Sequence, residues 1–324
     1  MKRIAAFLII YMCIADIAKS QDPLFSQFFL NSLDLNPAFA GTDDDPRIFL
    51  HYRNNWPGAF EKAFTTYQGS FDQYVKSISG GVGFNILRDN IYSSALTATN
   101  IDMIYCYRSK INRTFTLQSA VQLTFQFENF NAGGLTAADP TEQLQSNQIT
   151  KPDFAIGFLG RSRYSQVGVS LHHLNSGYIK FNYAFIKTPL KITLFYSRNI
   201  KIYDKDKVQE NGFILSPVIM VQKQAQSYAI NYGANFIFGE FLTGFWIRNN
   251  IPFQFTSIIF NVGYTFSNFK MGNVSMVYSY DYEVPSINHF MPVTGAHEVS
   301  IMLTLSSDPK KKRYGPIKCP DDLF

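Results

Sequence analysis

The sequence predicts an all-β fold, a transmembrane antiparallel β-barrel, and three observations support it. Charged residues make up 16% of the chain, whereas a soluble domain usually has about 25%, so much of the surface is predicted to avoid water. Mean hydropathy is -0.07, and after residue 20 no run of about 20 apolar residues could form a spanning helix. Alternating apolar and polar residues recur along the chain, as they do in the strands of outer-membrane barrels.

The start of the chain, residues 1–20, is predicted to be a cleaved signal peptide. Two basic residues precede an apolar run over 4–15 that is too short to span a membrane, and small residues occupy the positions that a signal peptidase reads. Cleavage is expected between Ser20 and Gln21. Removing this leader lowers the net charge from +5 to +3. A charge this close to neutral argues against a polyanionic partner such as nucleic acid.

Residues 21–46 precede the first predicted strand and form an apolar N-terminal segment. Asp22 and Pro23 suit the cap and the first position of a helix. Such a helix would place Leu24, Phe25, Phe28, Phe29 and Leu33 on one face. Burying each phenylalanine stabilises the fold by about 1.5–3 kcal/mol. We therefore expect residues 22–41 to pack into the lumen or the periplasmic mouth of the barrel as a plug.

The clearest strand pattern lies between Phe115 and Phe127. Odd positions are nearly all apolar and even positions carry Thr, Gln or Ala, which predicts that Val121 faces lipid and Gln122 the lumen. The 13 residues from 115 to 127, at about 3.4 Å each and tilted by about 45°, rise roughly 31 Å and cross an apolar band of about 25 Å.

Similar segments predict about fourteen strands in a barrel domain over residues 47–307. An even number is usual for bacterial single-chain barrels. The longest interruption, 131–151, is predicted to be an external loop, and 308–324 a basic C-terminal tail. The predicted strands are 48–56, 64–74, 80–89, 94–108, 113–130, 152–160, 164–172, 190–199, 212–223, 227–238, 241–248, 255–266, 271–281 and 296–306.

Short motifs in a fixed order make the chain resemble the PorP/SprF-like proteins. The resemblance implies a non-enzymatic outer-membrane barrel of the type IX secretion system of Bacteroidota, supporting export or surface anchoring of a secreted protein such as a gliding adhesin. It implies a secreted substrate or adhesin, other secretion components and outer-membrane lipid as partners. One departure is Asn31-Ser-Leu-Asp-Leu35, where members often have Asn-Pro-Leu and an aromatic residue. The motifs are Asp22-Pro-Leu-Phe-Ser-Gln-Phe28, Leu35-Asn-Pro-Ala-Phe-Ala-Gly41, Tyr52-Arg-Asn-Asn-Trp-Pro57, Phe64-Thr-Thr-Tyr67, Ser70-Phe-Asp72, Gly80-Gly-Val-Gly83, Val169-Ser-Leu-His-His-Leu174, Gly295-Ala-His-Glu298 and Lys318-Cys-Pro320.

The candidate functional residues are contacts to the plug or to a partner. The polar strand end at Arg53 and Asn54 is predicted either to face the lumen and hold the N-terminal segment, or to be an ordinary polar strand end beside a girdle tryptophan. The candidates are Phe25, Phe28, Phe29, Asn36, Pro37, Phe39, Arg53, Asn54, Trp56, Asp72 and Cys319.

The sequence predicts no catalytic, cofactor or metal site. His172 and His173 are adjacent in a predicted strand, so they should point to opposite faces and cannot share a metal. Ser170 lacks the Gly-x-Ser-x-Gly elbow of a lipase. A strand rather than a helix follows Gly80-Gly-Val-Gly83, so these glycines suit the close approach of another backbone or a plug, not a dinucleotide.

Two functions remain open at this level: a barrel for secretion or adhesin anchoring, and a diffusion porin. About fourteen strands lie between filled eight-stranded barrels and open channels of 16–18 strands. The apolar N-terminal segment distinguishes them, since a plain porin has no use for it.

Overall fold

A computed structural model gives the fold of residues 22–57, 64–91, 95–131, 146–175, 178–181, 184–202, 213–250, 254–269, 272–283 and 295–306. The predicted signal peptide with its cleavage site at Ser20 and Gln21, and the tail with Cys319, lie outside these described residues. No helix among the described residues is long and apolar enough to cross a membrane.

Fourteen antiparallel strands close into one barrel, which confirms the predicted fold class. Each strand pairs with its two neighbours in the barrel, and pairing of the first strand with the last completes the ring. A hairpin, β8 (Tyr178–Phe181) with β9 (Ala184–Lys187), and the short β11 (Ile200–Ile202) are additional strands. The barrel strands are β1 (Arg47–Asn55), β2 (Phe64–Val75), β3 (Gly80–Ile91), β4 (Leu96–Lys110), β5 (Thr116–Phe130), β6 (Asn147–Arg161), β7 (Ser165–His172), β10 (Lys191–Arg198), β12 (Phe213–Gln224), β13 (Ser227–Phe238), β14 (Phe241–Asn250), β15 (Gln254–Phe269), β16 (Gly272–Glu283) and β17 (Ala296–Leu305).

The largest difference from the predicted boundaries is in β6. This strand begins at Asn147, so the predicted external loop over 131–151 ends earlier than expected. The extra residues are in the strand because they pair with 126–130 of β5. Their sequence, Asn-Gln-Ile-Thr-Lys, is mostly polar and does not alternate, so the hydrophobic pattern did not predict a strand here.

The alternation in β5 has the predicted outcome. Val121 is 57% exposed on the outer face, whereas Gln122 is 7% exposed and points inward. The side chains of many strands repeat this arrangement, with large apolar residues outside and polar residues buried inside. The outer surface is therefore suited to lipid.

Val121→Arg should destabilise the folded barrel by about 2–4 kcal/mol where this position lies near the bilayer midplane, because the guanidinium would face hydrocarbon. Val121→Leu, which keeps the position apolar, serves as the control. Urea unfolding in lipid vesicles measures the difference. Equal stability of the two variants would contradict the assignment of this face to lipid.

The two ends of the barrel differ in their connections. At one end, called the long-loop end, the longest connections are 131–146, 173–190 and 284–295. At the other, called the short-turn end, β1 begins, β17 ends, and only 199–212 is long. In outer-membrane barrels the longer loops are extracellular, so we expect the long-loop end to face outward. The other connections at the short-turn end are 76–79, 111–115, 162–164, 239–240 and 270–271.

The N-terminal segment is mostly irregular, and the predicted helix from Asp22 is wrong. The described part contains only one helical turn, α1 (Ser32–Leu35), and a 3₁₀ turn (Pro37–Phe39). Backbone N–H groups that a helix would have used donate instead to the barrel wall: those of Ser26 and Gln27 bind the Glu298 carboxylate. Contacts with the wall thus replace the local helical preference.

Candidate functional site

The N-terminal segment passes through the lumen from the long-loop end to the short-turn end. Asp22 contacts residues at the long-loop end, the start of β10 and the end of β12. Gly41 and Thr42 contact Arg108 and Arg161 near the short-turn end. Most side chains between these points are buried. The candidate site is therefore the interface between this segment and the inner wall.

At the long-loop end, Asp22 is held by a cluster of charged groups. Its Oδ2 lies 2.7 Å from Lys191 Nζ and 2.9 Å from His173 Nε2. His173 Nδ1 lies 2.6 Å from Asp153 Oδ2, and Gln224 Nε2 donates to Asp22 Oδ1 at 3.2 Å. Both ring nitrogens of His173 thus face carboxylates, an arrangement that suits the protonated imidazolium.

Contrary to the prediction from the sequence, His172 and His173 do not point to opposite faces of a strand. His172 is the last residue of β7, and His173 follows it with a φ of 62°. This left-handed conformation breaks the alternation, so both side chains are buried instead of pointing to opposite faces. Ser170, considered as a lipase nucleophile, donates from Oγ to the carbonyl of Leu35 at 2.7 Å and so holds the segment.

This cluster should make the stability of the barrel depend on pH. Burial opposes protonation of His173, but Asp22 and Asp153 outweigh it and raise its pKa from 6.5 to about 9. Burial also opposes the charged form of Asp22, yet His173 and Lys191 hold its pKa well below 3.8. Because the pKa of His173 is higher in the folded state, protonated His173 stabilises the fold. This stabilisation is complete below the unfolded-state pKa of about 6.5 and is lost as the pH rises through the folded-state pKa.

We therefore expect the Tm of the wild type to decrease as the pH rises from about 6.5 to 9. Lys191 remains as the partner of Asp22 throughout this range. His173→Gln removes the titrating group and should flatten this part of the profile. The measurement is thermal unfolding of both proteins across this pH range at constant ionic strength. Parallel profiles would contradict the assigned role of His173.

A second charged cluster binds the next part of the segment. Arg53 donates to Asp281 at 3.0 Å and to Glu298 at 2.9 Å, and all three side chains are almost fully buried. Arg53 also donates to Ser26 Oγ, which in turn donates to Asp281 at 2.5 Å. Arg248 adds a second cation 3.2 Å from Asp281. The wall thus presents fixed charges and acceptors to the backbone and side chains of the segment.

Aromatic contacts fill the middle of the lumen. Trp246 is fully buried, stacks on Phe29 at a centroid distance of 5.7 Å, and meets Phe28 edge-on at 5.1 Å. Further along, Phe39 stacks on Phe195 at 5.2 Å. The lumen therefore has an apolar core made jointly by the segment and the wall.

Glycines on the wall leave room for the turn at Asn36. The Asn36 side chain donates to the carbonyls of Phe158 at 3.0 Å and Val169 at 3.1 Å, and its Oδ1 accepts from Ala38 N. A Cβ added at Gly157 would overlap Asn36 Oδ1 and lie 3.0 Å from Pro37 Cδ. The inner surface is shaped to the Asn-Pro turn of the segment.

Gly81 plays the same part nearer the short-turn end, where an added Cβ would overlap the carbonyl of Ala40. Beside it, Asp72 accepts from Gly41 N at 2.8 Å and from Arg47 through Nε and Nη2 at 3.0 and 2.7 Å. The backbone of the segment is thus fixed at its second end as well.

The structure brings most of the predicted contact residues to this interface. Asn54 and Trp56 lie at the end of β1, where Trp56 Nε1 donates to Glu283 at 2.8 Å, away from the segment. Sequence reasoning missed other contributors, because a lone charge in a strand gives no local sign of its partner. The missed residues are Arg47, Asp153, His173, Lys191, Gln224, Arg248, Asp281 and Glu298.

Within the described residues, no group of three or more His, Cys, Asp or Glu side chains could hold a metal ion. The thiol of Cys106, buried on β4, donates to the carbonyl of Ala38 at 3.4 Å. The described residues of this interface interact through hydrogen bonds, ion pairs and apolar packing.

Comparison with known proteins gives one family and several barrels. A family model described as "Type IX secretion system membrane protein PorP/SprF" matches residues 17–303. No curated protein sequence matches the chain. A Pseudomonas aeruginosa FadL homologue is 12% identical, with 84% of this chain and 93% of that chain covered and a TM-score of 0.46. The CymD monoaromatic hydrocarbon channel is 8% identical, with 86% and 92% covered and a TM-score of 0.49.

Proposed function

This chain belongs to the PorP/SprF family of type IX secretion system membrane proteins, and we propose that it exports or anchors a secreted protein without catalysing a reaction. Its fold and family make it an outer-membrane barrel. The role in export, the secreted partner and the closure of the pore by the N-terminal segment are the proposed part.

The burial of the inward-facing polar residues carries the proposal. In an open porin, such side chains line water. Here Gln118, Asn235 and Ser279 point inward from three different strands, and each is 0% exposed. Gln27 of the N-terminal segment donates to Ser279, which supports the proposal that this segment closes the pore to small solutes. A filled barrel suits binding of a protein at its ends.

Partner binding is assigned to the loops and the tail. The predicted external loop over 131–151 carries three Gln and two Asn, whose amides can hydrogen-bond to a partner, and the tail carries one Tyr and one Phe, residue types that anchor protein interfaces. Most of 131–151 and all of 308–324 lie outside the described residues. The loop would contact a partner outside the cell, and the tail one in the periplasm.

Deleting the gene should abolish surface display of one or a few large secreted proteins and leave uptake of small solutes unchanged. The surface proteome of the deletion strain, compared with the wild type and a complemented strain, measures this. An unchanged surface proteome together with lost uptake of a small solute would favour a diffusion porin instead.

A further inference from the structure

The cluster around Asp22 has the composition of a binding site for a carboxylate. Lys191, His173 and Gln224 converge on one carboxylate from three separate elements: the start of β10, the residue after β7 and the end of β12. The side chains of Lys191 and His173 are 5% and 7% exposed. Asp153, bound to the far nitrogen of His173, fixes the ring so that Nε2 points at the bound oxygen.

Asp22 is less buried than the residues of the N-terminal segment that follow it into the lumen. Its side chain is 18% exposed, and Pro23 and Leu24 are also only half-buried, whereas the residues from Phe25 to Leu33 are buried. A cavity lies directly beneath these first residues and is lined by Leu24, Phe28, Asp34, Lys191 and Met220 among others. Because residues 22–24 are less buried, their release would not require loss of the deeper contacts at Glu298 and Asn36.

Departure of Asp22 would remove the carboxylate that contacts both Lys191 and His173. Lys191 would lose its contact ion pair and keep only the longer-range attraction of Asp34 and Asp102, and His173 would keep Asp153. A buried ammonium that has lost its direct contact with a carboxylate is unfavourable, so the vacated position favours another carboxylate over water. The site lies at the long-loop end, where the proposed function places a partner outside the cell.

We propose that Lys191, His173 and Gln224 form a carboxylate-binding site that Asp22 occupies within the same chain and that an acidic side chain of a protein partner takes in exchange. This inference rests on the proposed function for the identity of the partner. The exchange would couple arrival of the partner to release of the outer end of the N-terminal segment. No bond is formed or broken in it.

Rescue by small carboxylates tests the site in the purified, full-length protein in detergent. Asp22→Ala should lower the Tm, and sodium acetate should restore it in a saturable manner by about 2–4 °C, since a ligand that binds only the folded state stabilises it. Sodium chloride at equal ionic strength should not. Glu128→Ala is the control, because it removes a carboxylate from the more exposed pair with Lys151, at 3.5 Å, and acetate should leave its Tm unchanged.

Two larger probes test whether the site accepts a protein side chain. N-acetyl-aspartate amide should rescue Asp22→Ala as acetate does, whereas N-acetyl-asparagine amide should not, and adding Lys191→Met should remove the rescue. Failure of both acetate and the aspartyl probe, or equal rescue of Glu128→Ala, would overturn the site. Rescue by acetate alone would overturn the exchange with a partner. If Asp22→Ala does not fold alone, its refolding yield with sodium acetate, compared with sodium chloride, replaces the Tm as the readout. None of these outcomes depends on the surface proteome, which tests the proposed function separately.

Discussion

Replacing Glu298 with glutamine is expected to destabilise the folded barrel by about 3–5 kcal/mol, the usual cost of breaking a buried ion pair. Glu298 is 0% exposed and accepts from Ser26 N at 2.8 Å, Gln27 N at 3.1 Å and Arg53 Nη1 at 2.9 Å. A glutamine amide would place its own NH₂ donor against one of these donors. Asp281 alone would then balance the charges of Arg53 and Arg248.

The matched control is Glu128→Gln, which removes the same charge from a more exposed pair. Glu128 lies 3.5 Å from Lys151, and their side chains are 22% and 14% exposed, so the expected cost is about 0–1 kcal/mol. Urea unfolding of both variants in detergent, followed by tryptophan fluorescence, gives the comparison. Trp246 reports directly, because it stacks on Phe29 of the segment. Similar costs for the two variants would refute the role of Glu298 in holding the segment.

Gly157→Ala is expected to displace the Asn36 turn and to cost about 2–4 kcal/mol, since it overfills a packed site and breaks two buried hydrogen bonds. The new methyl group would overlap Asn36 Oδ1. The amide of Asn36 would then lose the carbonyls of Phe158 and Val169. The segment is expected to loosen at this point, and the proposed closure of the pore to weaken with it.

Gly69→Ala makes the same substitution in another barrel strand, where the nearest atom to the added Cβ is Leu50 Cδ2 at 3.6 Å, an ordinary contact. It should leave stability nearly unchanged. Single-channel recording in planar bilayers adds a second readout: the wild type and Gly69→Ala should be closed, and Gly157→Ala should show openings. A wild type that conducts like an open porin would contradict the closure of the pore by the segment.

Alternation along single strands was enough to predict the barrel. The pattern in β5 assigned Val121 to the outside and Gln122 to the inside correctly, because a strand exposes alternate residues to two different environments and composition reports each of them. The same local reasoning missed the first residues of β6, which are polar and belong to the strand only through pairing with β5. The apolar character of the N-terminal segment was also evident from the sequence.

The tertiary structure alone decided how that segment is held. Asp22 suited a helix cap by local preference, yet its carboxylate binds Lys191 and His173, more than a hundred residues away. The pairing of Ser26 with Glu298 likewise depends on closing β1 against β17. Such contacts follow from the register and closure of the whole sheet. The sequence by itself therefore determined which residues face inward, and only the closed barrel determined which of them meet.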